Sequence, residues 1–121
     1  RVAGPDDGEP VLLLHGFPQT SWSWRHQLDA LGAAGYRAIA PDQRGYGRTV
    51  GWDDGFDADP DPYRMLNMVR DAIALLYALG HRSVAAVVGH DAGAPVAWAM
   101  PLLRAADTPW LGCWRRVMRP A

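Results

Sequence analysis

Apolar residues come in short runs and helical stripes that alternate along the chain. Val11-Leu12-Leu13-Leu14 is a short continuous run and predicts a buried strand. Beyond it, Trp24, Leu28 and Leu31 recur at helical spacing and predict a helix over Trp22 to Ala34. Thr20 or Ser21 is placed to cap that helix and Gly35 to close it. Tyr36 to Ala40 reads as a second short strand, stopped by Pro41. A turn-rich loop then runs through Pro62. Asp61 is the expected cap of a second helix with Pro62 at its first position. Leu66, Val69, Ile73 and Leu76 form its buried stripe, Leu79 lies close to it, and Gly80 ends it. Residues 1–10 are polar and rich in Gly and Pro, and predict a loop.

The stretch from Ser83 to Ala94 is the most informative. Val84 to Val88 is an apolar run rich in β-branched residues, as a strand covered on both faces should be. Gly89, Gly93 and Ala94 then place small residues around Asp91. A tight strand-to-helix turn needs them, because a Cβ at those offsets collides with the crossing backbone. Such a turn pushes its apex residue out of the sheet edge in a strained conformation. This is the nucleophile-elbow pattern, with aspartate where the G-x-S-x-G form has serine. The order strand, helix, strand, loop, helix, strand, turn, helix predicts an α/β fold, a mostly parallel sheet with crossover helices. In such sheets ligands collect at the C-terminal ends of the strands, where His15-Gly16-Phe17, Asp42-Gln43-Arg44 and Asp91 all fall.

Composition narrows the function. The chain has 121 residues, 49% of them hydrophobic, which is enough for one core. A net charge of −1 gives no electrostatic case for nucleic acid or an anionic membrane. No apolar run approaches a membrane span, and no signal peptide is visible. The one cysteine, Cys113, excludes an intrachain disulfide and a cysteine metal cluster, and fits a cytoplasmic location. The start at Arg1 rather than Met implies an N-terminus further upstream.

Two metal or cofactor look-alikes fail. Asp57-Ala58-Asp59-Pro60-Asp61 imitates a calcium loop, but Pro62 takes the required glycine position and Met68 the required glutamate position. It reads as an acidic surface loop. Gly45-Tyr46-Gly47 lacks the third glycine of a dinucleotide fingerprint. No metal and no cofactor is expected.

Three motifs in order, His15-Gly16-Phe17-Pro18, Asp42-Gln43-Arg44-Gly45-Tyr46-Gly47 and Gly89-His90-Asp91-Ala92-Gly93, resemble the α/β-hydrolase superfamily and within it the epoxide-hydrolase-like branch. The resemblance spans roughly residues 8 to 98. It implies Asp91 as nucleophile, with the backbone N–H groups of Phe17 and Ala92 as oxyanion donors. His15, Gly16, Pro18, Gly89, His90 and Gly93 would be structural members of the motifs. His15 reads as a buried histidine fixing the oxyanion turn, His90 as pointing away from the apex, and His26 and His81 as surface residues. Arg44 would brace the rim loops through a salt bridge. An aspartate is already ionised at neutral pH and attacks an sp³ carbon bearing oxygen or halide, giving an ester that water must then hydrolyse. Phe17 stands where alkyl-halide dehalogenases of the fold carry asparagine. Ala92, Ala94 and Pro95 stand where fluoroacetate dehalogenases carry arginines. The substrate expected is therefore an epoxide, with an alkyl halide or a non-catalytic remnant as the alternatives. Many epoxide hydrolases have an aromatic residue at the position of Ala92.

Past Asp91 the sequence has no histidine and no tyrosine, so the family's base and epoxide-activating groups are not found there. Pro101 predicts an end to the third helix, and no strand run follows it. Arg115, Arg116 and Arg119 make a small basic tail. Residues 1–98 are thus read as the N-terminal part of an α/β-hydrolase core, with the lid and C-terminal half absent. Residues 99–121 are read as an atypical tail, truncated or frameshifted. The sheet edge left open predicts self-association.

Overall fold

The computed structural model describes residues 1–103. Among them, four strands form one sheet in the order β1-β3-β2-β4. These are β1 (Val2–Ala3), β2 (Pro10–Leu14), β3 (Arg37–Ile39) and β4 (Ala86–Gly89). β2 pairs in parallel with both β3 and β4, and β1 adds antiparallel to β3. Three α-helices cover the sheet: α1 (Arg25–Ala33), α2 (Met65–Ala78) and α3 (Gly93–Leu103).

β2 is central because it is apolar on both faces. Leu12 and Leu14 pack with Val69, Ala72 and Leu76 of α2 and Val96 and Met100 of α3. Val11 and Leu13 point the other way, into a cluster with Leu28 of α1 and Ala38, flanked by Trp24 and Leu31. The chain leaves β2 for β3 on one side and returns from β3 to β4 on the other. Crossovers of one hand then set α1 against one face and α2 with α3 against the opposite face. The reversal opens a crevice beyond the C-terminal end of β2.

Several local expectations are corrected. Residues 1–10 are not all loop: Val2 and Ala3 pair with Ile39 and Ala38, and Pro10 already belongs to β2. Thr20 does cap, but it caps a 3-10 turn over Ser21–Trp24 that leads into α1. Asp61 does not cap α2. It lies in a separate 3-10 turn, Asp61–Tyr63, and α2 starts after Arg64 without a side-chain cap. The buried stripe of α2 is Val69, Ala72 and Leu76, while Leu66 and Leu79, at the two ends of the helix, are exposed. β4 is shorter than the run Val84–Val88 and only partly buried, because β2 is its sole strand neighbour among the described residues. Pro101 lies inside α3 rather than ending it, and is buried. The basic tail and the rest of residues 104–121 lie outside the described residues.

Candidate active site

Three loop segments meet at the crevice. His15-Gly16-Phe17-Pro18 leaves β2, Pro41 to Arg44 follows β3, and His90-Asp91-Ala92 joins β4 to α3. The last is a strand–turn–helix built by close backbone approach. A Cβ on Gly89 would sit 2.3 Å from the Gly93 carbonyl oxygen and 2.7 Å from the Ala94 Cα. One on Gly93 would sit 2.4 Å from the Leu14 carbonyl oxygen, so glycine there lets α3 start against the end of β2. The apex is Asp91, with φ +50°, the one non-glycine residue of positive φ among the described residues. That conformation strains a side chain with a Cβ and is retained only where its surroundings hold it.

Asp91 is exposed, yet its carboxylate is held. Oδ1 accepts a hydrogen bond of 2.9 Å from the Phe17 N–H, across 74 residues of sequence. The Phe17 N–H first, and the Ala92 N–H second, keep the carboxyl below its ordinary pKa because both donate to the charged form. Gly16 makes the approach possible: a Cβ there would lie 2.5 Å from the Asp91 Cβ. Phe17 precedes Pro18 through a cis peptide, and its ring is 70% exposed beside the apex.

His15 is fully buried. Its Nε2 accepts from the Gln43 N–H at 3.0 Å, which leaves Nδ1 as the protonated nitrogen, donating to the Gly16 carbonyl at 3.0 Å. The Gln43 side-chain amide donates to the His15 carbonyl at 2.6 Å, and Tyr46 stacks edge-on against the imidazole. His90 and His26 are exposed, and His81 is half-buried at the surface.

Two acidic residues fix the rim. Asp42 Oδ1 accepts from the Ser21 N–H at 2.7 Å and Oδ2 from the Arg48 N–H at 3.1 Å. Burial pushes the Asp42 carboxyl up, but the Ser21 hydroxyl and N–H, the Arg48 N–H and its guanidinium prevail and bring it to about 2. The Thr49 hydroxyl donates to the Asp42 carbonyl and folds the loop back. Arg44 forms a two-pronged pair with Asp71 of α2, at 2.8 and 2.7 Å. Gln43 and Ser21 stood within sequence signals, in the second motif and as a candidate cap, but their partners in the site, and Asp71 altogether, carried none. The partners of Gln43, Asp71 and Ser21 are 28, 27 and 21 residues away, beyond any local pattern.

Beside Gly16 and Ala92 opens a cavity of about 300 Å³, lined largely by apolar atoms of Tyr46, Tyr63, Met68 and Val96. The small Ala92 side chain forms part of its wall. No group of three or more His, Cys, Asp or Glu among the described residues is arranged to hold a metal ion.

The family model described as alpha/beta hydrolase fold matches residues 9–107. The chain belongs to the α/β-hydrolase family. Within this family its matches include several epoxide hydrolases. It is 48% identical over 104 residues to Epoxide hydrolase 3 of Siraitia grosvenorii, covering 86% of this chain and 31% of that protein. It is 48% identical over 100 residues to Epoxide hydrolase B of Mycobacterium tuberculosis, covering 82% of this chain and 26% of that one. Among solved structures, an epoxide hydrolase from an endophytic Streptomyces superposes with a TM-score of 0.75 at 51% identity, over 86% of this chain and 29% of that one. This α/β-hydrolase chain therefore spans about a third or less of the length of these relatives. Among the described residues no helix is long and apolar enough to cross a membrane.

Proposed function

We propose that this α/β-hydrolase chain carries the nucleophilic half of an epoxide hydrolase, with Asp91 as the nucleophile. One observation carries the reading: an exposed carboxylate at a left-handed apex, φ +50°, with Oδ1 held 2.9 Å from the Phe17 N–H. Held in this way, the carboxyl stays ionised through the neutral range and needs no base to attack. The oxygen not held by Phe17 attacks a ring carbon of the epoxide. The carbon–oxygen bond of the ring breaks, its electron pair stays on the ring oxygen, and that oxygen takes a proton from solvent. The product is a hydroxyalkyl ester of Asp91.

Hydrolysis of this ester runs through a tetrahedral oxyanion. The Phe17 and Ala92 N–H groups are already aimed at the carboxyl group on which that charge develops, and one such donor is typically worth about a hundredfold or more in rate. The water also needs a general base. His15 is not that base, since both ring nitrogens are engaged in the buried network. An ester formed on this chain is therefore expected to persist. The apolar cavity beside Ala92 would take the substituent of the epoxide.

The test is intact-mass measurement after incubation with a reactive aryl epoxide. A one-to-one adduct mapped to Asp91, and absent from Asp91→Asn, is the expected result. A folded chain that gains no mass overturns the reading and favours a non-catalytic remnant. A chloroalkane run in parallel tests the neighbouring chemistry: an alkyl ester formed with release of chloride, and none from the epoxide, would make the chain a dehalogenase.

A further inference from the structure

The candidate oxyanion donor does not stand alone. The Phe17 N–H belongs to the same peptide group as the Gly16 carbonyl. That carbonyl accepts from His15 Nδ1 at 3.0 Å while the N–H donates to Asp91 Oδ1 at 2.9 Å. His15 Nε2 in turn accepts from the Gln43 N–H at 3.0 Å. Four groups thus line up donor to acceptor in one direction, from the Gln43 main chain through the imidazole and the Gly16–Phe17 peptide to the Asp91 carboxylate.

We propose that Gln43 and His15 form a directed hydrogen-bond relay that orients and polarises the Gly16–Phe17 peptide toward Asp91. Three features support a relay rather than ordinary packing. First, the direction is unbroken: reversing the imidazole tautomer would set Nε2–H against the Gln43 N–H and leave Nδ1 lone-pair to lone-pair with the Gly16 carbonyl. Second, the path is dry. His15 is 0% and Gln43 9% exposed, and chains of hydrogen bonds strengthen one another most where water does not compete. Third, Gln43 contributes twice. Its N–H fixes the imidazole, and its side-chain amide holds the preceding His15 carbonyl at 2.6 Å, so the peptides on both sides of Gly16 are clamped. Tyr46, with its ring centroid 5.0 Å from that of the imidazole, closes the remaining side.

Gln43 and His15 are positioning residues, acting on the reacting carboxylate through a peptide they do not share with it. The inference rests on the proposed role of Phe17, and its principal readout is independent of that chemistry: the titration of the Asp91 carboxyl followed by carbon NMR. In Gln43→Met, which keeps the chain length and loses the amide donor, and in His15→Phe, which keeps the ring and loses both nitrogens, the Asp91 midpoint should rise toward the ordinary value of about 3.9. An unchanged Asp91 midpoint in folded His15→Phe overturns the relay, whatever the epoxide reaction shows, and an unchanged midpoint in folded Gln43→Met overturns the side-chain clamp on the His15 carbonyl. An absent epoxide reaction in the wild-type chain, with the midpoint shifts present, overturns the functional reading and leaves the relay standing. Should both variants fail to fold, the wild-type protein decides. Nitrogen NMR should show His15 protonated at Nδ1 and the Gln43 main-chain amide slow to exchange. A fast-exchanging amide or an Nε2–H imidazole refutes the relay.

Discussion

Replacing Asp42 by Asn should remove a charge whose contribution to stability can be followed directly with pH. The side chain is only 10% exposed, and its two oxygens tie the end of β3 to the turn before α1 and to the returning loop at Arg48. Its carboxyl falls from 3.8 to about 2 on folding, although burial alone would raise it. A folded value below the unfolded one means that the stabilisation is fully present above the unfolded value and is lost as pH falls toward the folded one. A shift of this size corresponds to about 2 kcal/mol near neutral pH, of which roughly 1 kcal/mol is already gone near pH 3. Asp42→Asn keeps the shape and removes the charge. Urea unfolding followed by tryptophan fluorescence should place the variant about 2 kcal/mol below wild type near pH 6, with the gap narrowed to about half near pH 3. Arg48, 81% exposed and 4.0 Å from the carboxylate, contributes little, so high salt should leave most of the gap. A gap of the same size at both pH values, or none at either, would show that the Ser21 and Arg48 contacts do not hold the charged form.

Two further outcomes test the site and the sheet. Gly16→Ala places a Cβ 2.5 Å from the Asp91 Cβ, so the carboxylate must move by about 1 Å to reach ordinary contact; ester formation with an epoxide should slow by about a hundredfold, and a wild-type rate would refute the tight fit. β4 offers an unpaired edge among the described residues, so sedimentation should report self-association that grows with concentration, whereas a monomer throughout would show the edge to be protected.

The sequence exposed the central strand clearly, and physical reasons explain why. Val11 to Leu14 is apolar without interruption because both faces of β2 are covered. The turn at Asp91 was equally legible, since a Cβ on Gly89 or Gly93 would lie 2.3 or 2.4 Å from a backbone carbonyl oxygen. Elements at the margins were less so. Val2 and Ala3 form a two-residue antiparallel edge that no periodicity can announce. Leu66 and Leu79 fit the apolar stripe of α2, yet lie at the two ends of the helix and stay exposed. Asp61 and Pro62 have the chemistry of a helix start, but a 3-10 turn takes them and α2 begins only at Met65. The support of the site was the least legible part. Gln43 reaches His15, and Asp71 reaches Arg44, only after the sheet has brought distant segments together.

The pairing of β2 with β4 has a consequence for how the chain folds. Leu14 lies in register with Gly89, and the hydrogen bond from Phe17 to Asp91 spans 74 residues just beyond that pair. Closing so long a loop costs entropy before any contact repays it, so parallel pairings of this kind form slowly. The Phe17–Asp91 contact requires that closure, whereas α1 and the β2–β3 pair can form from local chain. Partly folded molecules would thus retain helix and hydrophobic collapse while lacking the held carboxylate. Reactivity at Asp91 should therefore rise later in refolding than the far-ultraviolet signal, making the carboxylate a marker of completed topology.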